Sequence, residues 1–308
     1  MTLLPLPFPM LAPFPILEVD PASRSDIEQL GSKPKFWFKR VDENWLFKEA
    51  RENTGEDWAE KVASEIARLL GLPTHYAELA LWQDKRGCAV KSFLSSDRSV
   101  LIHGNELLGG LISGYDKEKQ RGQADHTFEN IVHVIENLFS AEKSRRPVAL
   151  RMVGYLMLDA LVGNTDRHHQ NWGVVLERKQ QAGGRDSYFV QLAPTFDHAS
   201  SLGRELTDDA RDRHLAEGTV ERYLLKARGG IFEGPTARHG MSPMALARLL
   251  GLRYPELFKP WQARIRHLSQ QDVEDLFARV PGERLSPSGR AFALAFVAAS
   301  RKLILEIP

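Results

Sequence analysis

Cysteine is almost missing from this chain. Cys88 is the only one in 308 residues, so no disulfide can close within the chain, a usage that suits a reducing, cytoplasmic setting. An excess of one charge is missing too. Lys and Arg number 41 against 40 Asp and Glu, for a formal net charge of +1. That balance gives no electrostatic footprint for direct nucleic-acid or membrane-surface binding. There is no internal repeat. Beyond the first seventeen residues no apolar run is long enough to cross a bilayer. The apolar opening Met1–Leu17 has no basic start of the signal-peptide kind, and prolines at 5, 7, 9, 13 and 15 prevent a continuous helix. Residues 1–19 read as a proline-rich, polyproline-type arm lying on the domain or on a partner, or else as a disordered tail. The rest has the ordinary apolar and charged content of a globular protein, with length for one large or two moderate domains.

The most informative stretch is Leu161–Val175 (LVGNTDRHHQNWGVV), followed by Asp197 in LAPTFDHASSLG. Asp166, Asn171 five residues on, and Asp197 after a short hairpin are the oxygen-bearing groups that phosphoryl transfer needs. Asp166 can accept or orient the proton of a substrate hydroxyl. Asn171 and Asp197 present oxygens to Mg²⁺, a hard cation that prefers them. Val148–Val162 reads as a buried helix feeding this loop, ended by Gly163-Asn164. Trp172–Leu176 and Tyr188–Leu192 read as strands separated by the polar stretch Gln180–Asp186. His168 and His169 point apart if adjacent on a loop or strand, and no Cys or third His sits at zinc-ligand spacing. One of them is expected to brace the loop.

The N-terminal half reads as a nucleotide lid. Lys35–Lys39 and Asn44–Lys48 are expected strands around the polar turn Arg40–Glu43. Gly31-Ser32-Lys33, just before them, is a phosphate-loop candidate whose backbone N–H groups could approach phosphates. Lys48 ends an apolar strand, where a cation can reach the α- and β-phosphates of ATP. Thr54–Leu70 is a strong amphipathic helix with the stripe Trp58, Val62, Ile66, Leu69 and Leu70, a plausible N-cap at Thr54, and a stop at Gly71 and Pro73. It offers Glu60, or second Glu65, as the carboxylate that positions Lys48. Leu79–Trp82 and Cys88–Leu94 are expected strands around Gln83–Gly87. The backbone of Lys91, Ser92 and Phe93 then matches the place where kinases bind adenine.

These elements, in this order, resemble the HipA-like serine/threonine kinases. Asn164-Thr165-Asp166, His168 and Asn171-Trp172-Gly173 look like the family's catalytic loop. Leu192-Ala193-Pro194 with Phe196-Asp197 looks like its metal segment, Gly31–Lys35 is similar to its phosphate loop, and Ala59-Glu60 with Leu69–Pro73 looks like its helix. Asp166-Arg167-His168-x-x-Asn171 is also similar to the catalytic loop of phosphoinositide 3/4-kinases. The order Pro-x-Phe-Asp favours the HipA side. The resemblance covers most of residues 25–300. The phosphate-loop candidate starts by residue 31, as in short, single-core members, some of which work as toxins or translocated effectors. Their missing segment can be a separate protein.

The resemblance implies a two-lobed, protein-kinase-like α+β fold, with a sheet-plus-helix lobe over 20–92 and a mostly helical lobe over 93–308. It implies ATP and Mg²⁺ between them, with Asp166, Lys48 and Glu60 catalytic, and Asn171 and Asp197 on metal. Gly31, Ser32, Lys33, Lys48, Lys91, Ser92, Phe93 and His168 would meet the nucleotide. The acceptor would be a protein serine or threonine, with Ser32 a site of autophosphorylation. A partner antitoxin or small regulatory protein is implied, and a cytoplasmic location or translocation into a host cell. A phosphoinositide kinase and a non-transferring pseudokinase are the alternatives. Phe128–Phe139, Ser242–Leu250, Pro255–Leu268, Ser269–Val280 and Ser286–Ile307 read as helices, with Ser242 and Ser269 as caps. Arg204–His214 reads as a charged, solvated loop at the place of an activation or substrate-binding segment.

Overall fold

Two aromatic hairpins organise the first third of the chain. In the computed structural model, which describes residues 11–27, 35–139, 141–180 and 186–308, the strands are β1 (Ile16–Glu18), β2 (Arg24–Ile27), β3 (Lys35–Arg40) and β4 (Glu43–Glu49). Helix α1 (Glu56–Leu69) follows, then β5 (Tyr76–Trp82) and β6 (Lys85–Lys91). They form one six-stranded sheet in the order β1-β5-β6-β4-β3-β2. Both tight turns have two central residues at positive φ, Val41-Asp42 and Gln83-Asp84. That backbone twist matches the flanking strands. The second turn is tighter than the expected Gln83–Gly87, so β6 starts and ends earlier than the sequence suggested. Alternation buries Phe36, Phe38, Trp45 and Phe47 together on one face. Lys48 falls on the opposite face, against α1.

Helix α1 is buried nearly all round, with Trp58, Val62, Ile66 and Leu70 as its apolar spine. Leu69, expected in that stripe, is 44% exposed. The cap also differs. Gly55, not Thr54, is the N-cap, and the Thr54 hydroxyl donates to the Arg51 carbonyl instead. A Cβ at Gly55 would lie 2.0 Å from the Trp58 indole nitrogen, so the folded-back indole leaves room for glycine alone.

The N-terminal arm, over its described part, lies on the domain. Phe14 is buried, its N–H donates to the Arg279 carbonyl, and the cations of Lys61 and Arg279 flank its ring. Ile16–Glu18, which the sequence reading left in the arm, pair parallel to β5. Residues 1–10 lie outside the described residues.

Past β6 come β7 (Ser99–His103), α2 (Gly104–Leu111), α3 (Phe128–Leu138) and α4 (Glu142–Val162). Then follow β8 (Gly173–Gln180), β9 (Asp186–Leu192), α5 (Asp208–Ala216) and α6 (Val220–Lys226). The chain closes with α7 (Pro243–Arg253), α8 (Pro255–His267), α9 (Gln270–Ala278) and α10 (Pro287–Leu305). Ser242 and Ser269 cap α7 and α9 as their sequences imply. Strands β7, β8 and β9 make a second, antiparallel sheet; β7 has no clear sequence signal. The charged stretch Arg204–His214 is not a loop throughout. From Asp208 it is α5, capped by Thr207. The large core joins α1 to α4, α7, α8 and α10. Among the described residues, no helix is long and apolar enough to cross a membrane.

Candidate active site

Helix α4 delivers the loop. Gly163 ends it at φ +69, where a Cβ would meet the Phe296 ring at 2.3 Å. The next residues turn back around a buried carboxylate. Asp159 accepts from Arg167 Nε and Nη2, both at 2.8 Å, and from Asn164 Nδ2 at 2.9 Å. Arg167 also donates to the carbonyls of Asn171 and Phe196 and to Thr195 Oγ1. One guanidinium therefore ties the loop to the segment that carries Asp197. Burial opposes the charge on Arg167, but Asp159 beside it raises its pKa.

Asp166 is held by its backbone. Its N–H donates to Asn164 Oδ1 and its carbonyl accepts from Asn171 Nδ2 at 2.7 Å. Its carboxylate is 56% exposed. With Nδ2 of Asn171 committed inward, the amide oxygen is the group left to face a ligand. Asp197 sits at φ +62, a left-handed conformation uncommon for a non-glycine residue and a mark of functional sites.

Lys48 joins the two halves. Its Nζ lies 2.8 Å from Asp197 Oδ1 and 3.9 Å from Glu60 Oε2. Burial alone would lower its pKa, but the carboxylates of Asp197 and Glu60 hold it above the ordinary lysine range. Glu60 is fully buried. Burial would raise its pKa, yet Lys48 and His75 hold it well below the usual carboxylate range. It accepts the His198 N–H at 2.9 Å, and His75 Nε2 lies 2.9 Å from Oε1. Glu65, the second choice from sequence, instead pairs with Lys61 and Arg68.

His168 Nδ1 accepts from the Gln170 N–H, and Nε2 lies 3.9 Å from Asp166 Oδ1. Burial keeps it neutral to lower pH than an ordinary histidine. His169 turns away and meets the Tyr115 hydroxyl at 2.8 Å. Lys91 is still in β6, with its ammonium on Glu43. The Ser92 N–H donates to the Asn44 carbonyl, so it is not a donor for adenine. The Phe93 ring lies 5.8 Å from that of Phe196. Gly31, Ser32 and Lys33 lie outside the described residues.

Residues 29–227 match the HipA-like C-terminal domain, well over half of the chain. The chain belongs to the HipA-like C-terminal domain family. The serine/threonine-protein kinase CtkA of Helicobacter pylori strain J99 is 29% identical over 153 residues, 49% of this chain and 42% of CtkA. The matched part is thus less than half of that relative. The crystal structure of a Helicobacter pylori proinflammatory kinase CtkA superposes with a TM-score of 0.72 at 18% identity, covering 95% of this chain and 96% of that one. HipA of Shewanella oneidensis MR-1, solved with HipB and operator DNA, gives a TM-score of 0.53 at 13% identity over 93% of this chain and 66% of that one. The fold of this HipA-like chain is therefore kinase-like.

For such a fold the residues present suit ATP and a hard cation. Asp197 and Asn171 are oxygen donors, and a buried Glu60 holds a cation, Lys48, against Asp197. Sequence reasoning did not find Arg167, Asp159, His75 or His198. One signal was there: Asp159 is the lone carboxylate in the apolar run from Val153 to Val162, and a carboxylate in a buried helix needs a partner.

Proposed function

We propose that this chain is an ATP- and Mg²⁺-dependent kinase that phosphorylates serine or threonine in a protein, acting as a HipA-like toxin or effector. The observation that carries the reading is Lys48, whose ammonium is shared by Asp197 and the buried Glu60. A lysine held between a buried helix carboxylate and a half-buried aspartate is an arrangement suited to phosphate-directed chemistry. Residues 20–92 form the nucleotide-covering lobe and 93–308 the acceptor-side lobe. Bound Mg²⁺–ATP supplies the phosphoryl group and neutralises charge as it transfers.

The chain's own residues do the rest. Asp197 and Asn171 hold the cation, and Lys48, positioned by Glu60, neutralises phosphate oxygens. Asp166 orients the acceptor hydroxyl and takes its proton. Arg167 keeps Asp166, Asn171 and Asp197 in one arrangement, and His168 braces the loop beside Asp166. Adenine is assigned to the main chain of Lys91, Ser92 and Phe93, the Ser92 N–H excepted because the Asn44 carbonyl takes it. Gly31, Ser32 and Lys33 are assigned as the phosphate loop from their sequence, with Ser32 as an autophosphorylation site. A small regulatory partner fits the relationship to HipA.

Labelled ATP with the purified chain, folded bacterial proteins and phosphoinositide vesicles side by side tests this reading. Label on protein Ser or Thr, lost in Asp166→Ala, is expected. Label on lipid would point to the phosphoinositide alternative, and no label at all to a pseudokinase.

A further inference from the structure

Between α1 and β5 stands a histidine that none of the roles above uses. His75 is buried, and its Nε2 lies 2.9 Å from Oε1 of Glu60. We propose that His75 is a positioning residue for phosphoryl transfer, one that orients the Glu60 carboxylate so that Oε2 is turned to Lys48. The proposal rests on the kinase reading, in which Glu60 positions Lys48, and adds the residue that positions Glu60.

The two oxygens of Glu60 are unequal. Oε1 accepts the His198 N–H at 2.9 Å and faces His75. Oε2 has no hydrogen-bond partner among the described residues, and the Lys48 ammonium lies 3.9 Å from it. A buried carboxylate oxygen without a donor is costly unless a charge faces it. The last torsion of a glutamate is broad and soft, so a single N–H on Oε1 does not fix how the carboxylate is turned. A second contact at the same oxygen does, and it leaves Oε2 directed at the lysine.

The ring is itself fixed by the segment that leads to Asp197. Nδ1 lies 3.1 Å from the Thr195 carbonyl, and the ring stacks on that of His198, with centroids 5.2 Å apart and an interplanar angle of 18°. Both ring nitrogens face oxygen acceptors, so the ring serves both with an N–H on each. Thr195 Oγ1 in turn accepts from Arg167 Nη2. The orientation of Glu60 on α1 is thereby tied to the segment that carries Asp197. The ring is not what docks this stretch of chain. The His75 N–H and the Thr74 hydroxyl both donate to the Thr195 carbonyl, and the Thr195 N–H donates to the Pro73 carbonyl. Those bonds do not need an imidazole at position 75. What the ring supplies beyond them is the contact with Glu60.

Two polar variants of the full chain separate this role from packing. His75→Gln can place an amide N–H where Nε2 lies. His75→Asn, one methylene shorter, reaches Thr195 but not Glu60. Hydrogen exchange without nucleotide reads the geometry. In His75→Asn the His198 amide, which is bound to Glu60, should exchange about tenfold faster, the low end of what a hydrogen bond to a charged group contributes. The Thr195 amide should not change. His75→Gln should keep both near the wild type. Transfer of labelled phosphate from ATP and Mg²⁺ to folded bacterial proteins reads the function. It should fall about tenfold in His75→Asn and return in His75→Gln. In a Glu60→Gln background, His75→Asn should cost almost nothing further, because it acts through Glu60. Equal losses in both backgrounds, equal behaviour of the two variants, or faster exchange at Thr195 as well as His198 would overturn the proposal and leave the kinase reading standing. No transfer from the wild type would sink the kinase reading, and this proposal with it, whatever the exchange shows.

Discussion

Arg167 grips Asp159 through two hydrogen bonds of 2.8 Å, and both side chains are buried. The pair is the hinge pin of the candidate site, since the same guanidinium reaches the carbonyls of Asn171 and Phe196. Removing one member leaves an uncompensated buried charge. Arg167→Met or Asp159→Leu should each cost about 3–5 kcal/mol. The double variant should be less destabilised than the sum of the two, because neither charge is then left alone. Urea midpoints of the four proteins check this. Additive losses would show that the pair is not coupled.

Acid should unfold this protein early. Burial holds His126 neutral down to about 3 and His169 down to about 4, against an ordinary value of 6.5. His198 is likewise held well below its usual range by burial and by Arg167. The geometry agrees for His126, whose Nε2 accepts from the Trp172 indole N–H while Nδ1 faces the Gly230 carbonyl. The unfolded chain takes up protons below about pH 6.5 that these folded histidines refuse. Stability is full above that pH and falls as pH drops, by roughly 1.4 kcal/mol per unit for each histidine. Denaturant midpoints between pH 7 and 5 should fall accordingly, and His126→Gln should flatten the slope. A flat wild-type profile would contradict the assignment.

Lys48→Met keeps the apolar stem and removes the cation. Phosphoryl transfer should be lost. Glu60 keeps the His198 N–H but loses the cation that most depresses its pKa. A carboxylate with a depressed folded pKa contributes stability above its unfolded value, about 4.5, and loses it as pH falls through the folded one. In the variant that loss should begin at higher pH than in the wild type. Retained transfer in Lys48→Met would remove Lys48 from the phosphate site.

Phe14 tests the arm. It is 3% exposed, inside the large core and between two cations. Phe14→Ala should cost about 3–5 kcal/mol, the range for emptying a core aromatic site, read as a lower thermal midpoint. A change under 1 kcal/mol would mean that the arm does not dock as described.

Much of this was legible because it is local. The loop, the hairpin that separates Asn171 from Asp197, and the long helices carry their signals within a few turns of chain. The rest depends on tertiary partners. Strand β1 is three residues long after a proline-rich run, and only its pairing with β5 defines it. Helix α5 has no apolar stripe. Its inward side chain is Arg211, bonded to Asp208 and the Gly203 carbonyl, so charge hid it, and Thr207 followed by two aspartates was the readable cue. His75 reaches Glu60 because Pro73–His75 pairs with Thr195, 120 residues away from His75. No spacing rule finds that.

The central claim is that Asp166 and Asp197 do different work at one nucleotide site. Calorimetric titration of Mg²⁺–ATP into wild type, Asp166→Ala and Asp197→Ala tests it most directly, alongside transfer assays. Both variants should lose transfer. Asp166→Ala should bind Mg²⁺–ATP nearly as the wild type does, because its carboxylate faces the acceptor. Asp197→Ala should bind it at least tenfold more weakly, because an oxygen for the cation is gone. Equal weakening in both variants, or tight binding in Asp197→Ala, would contradict the account.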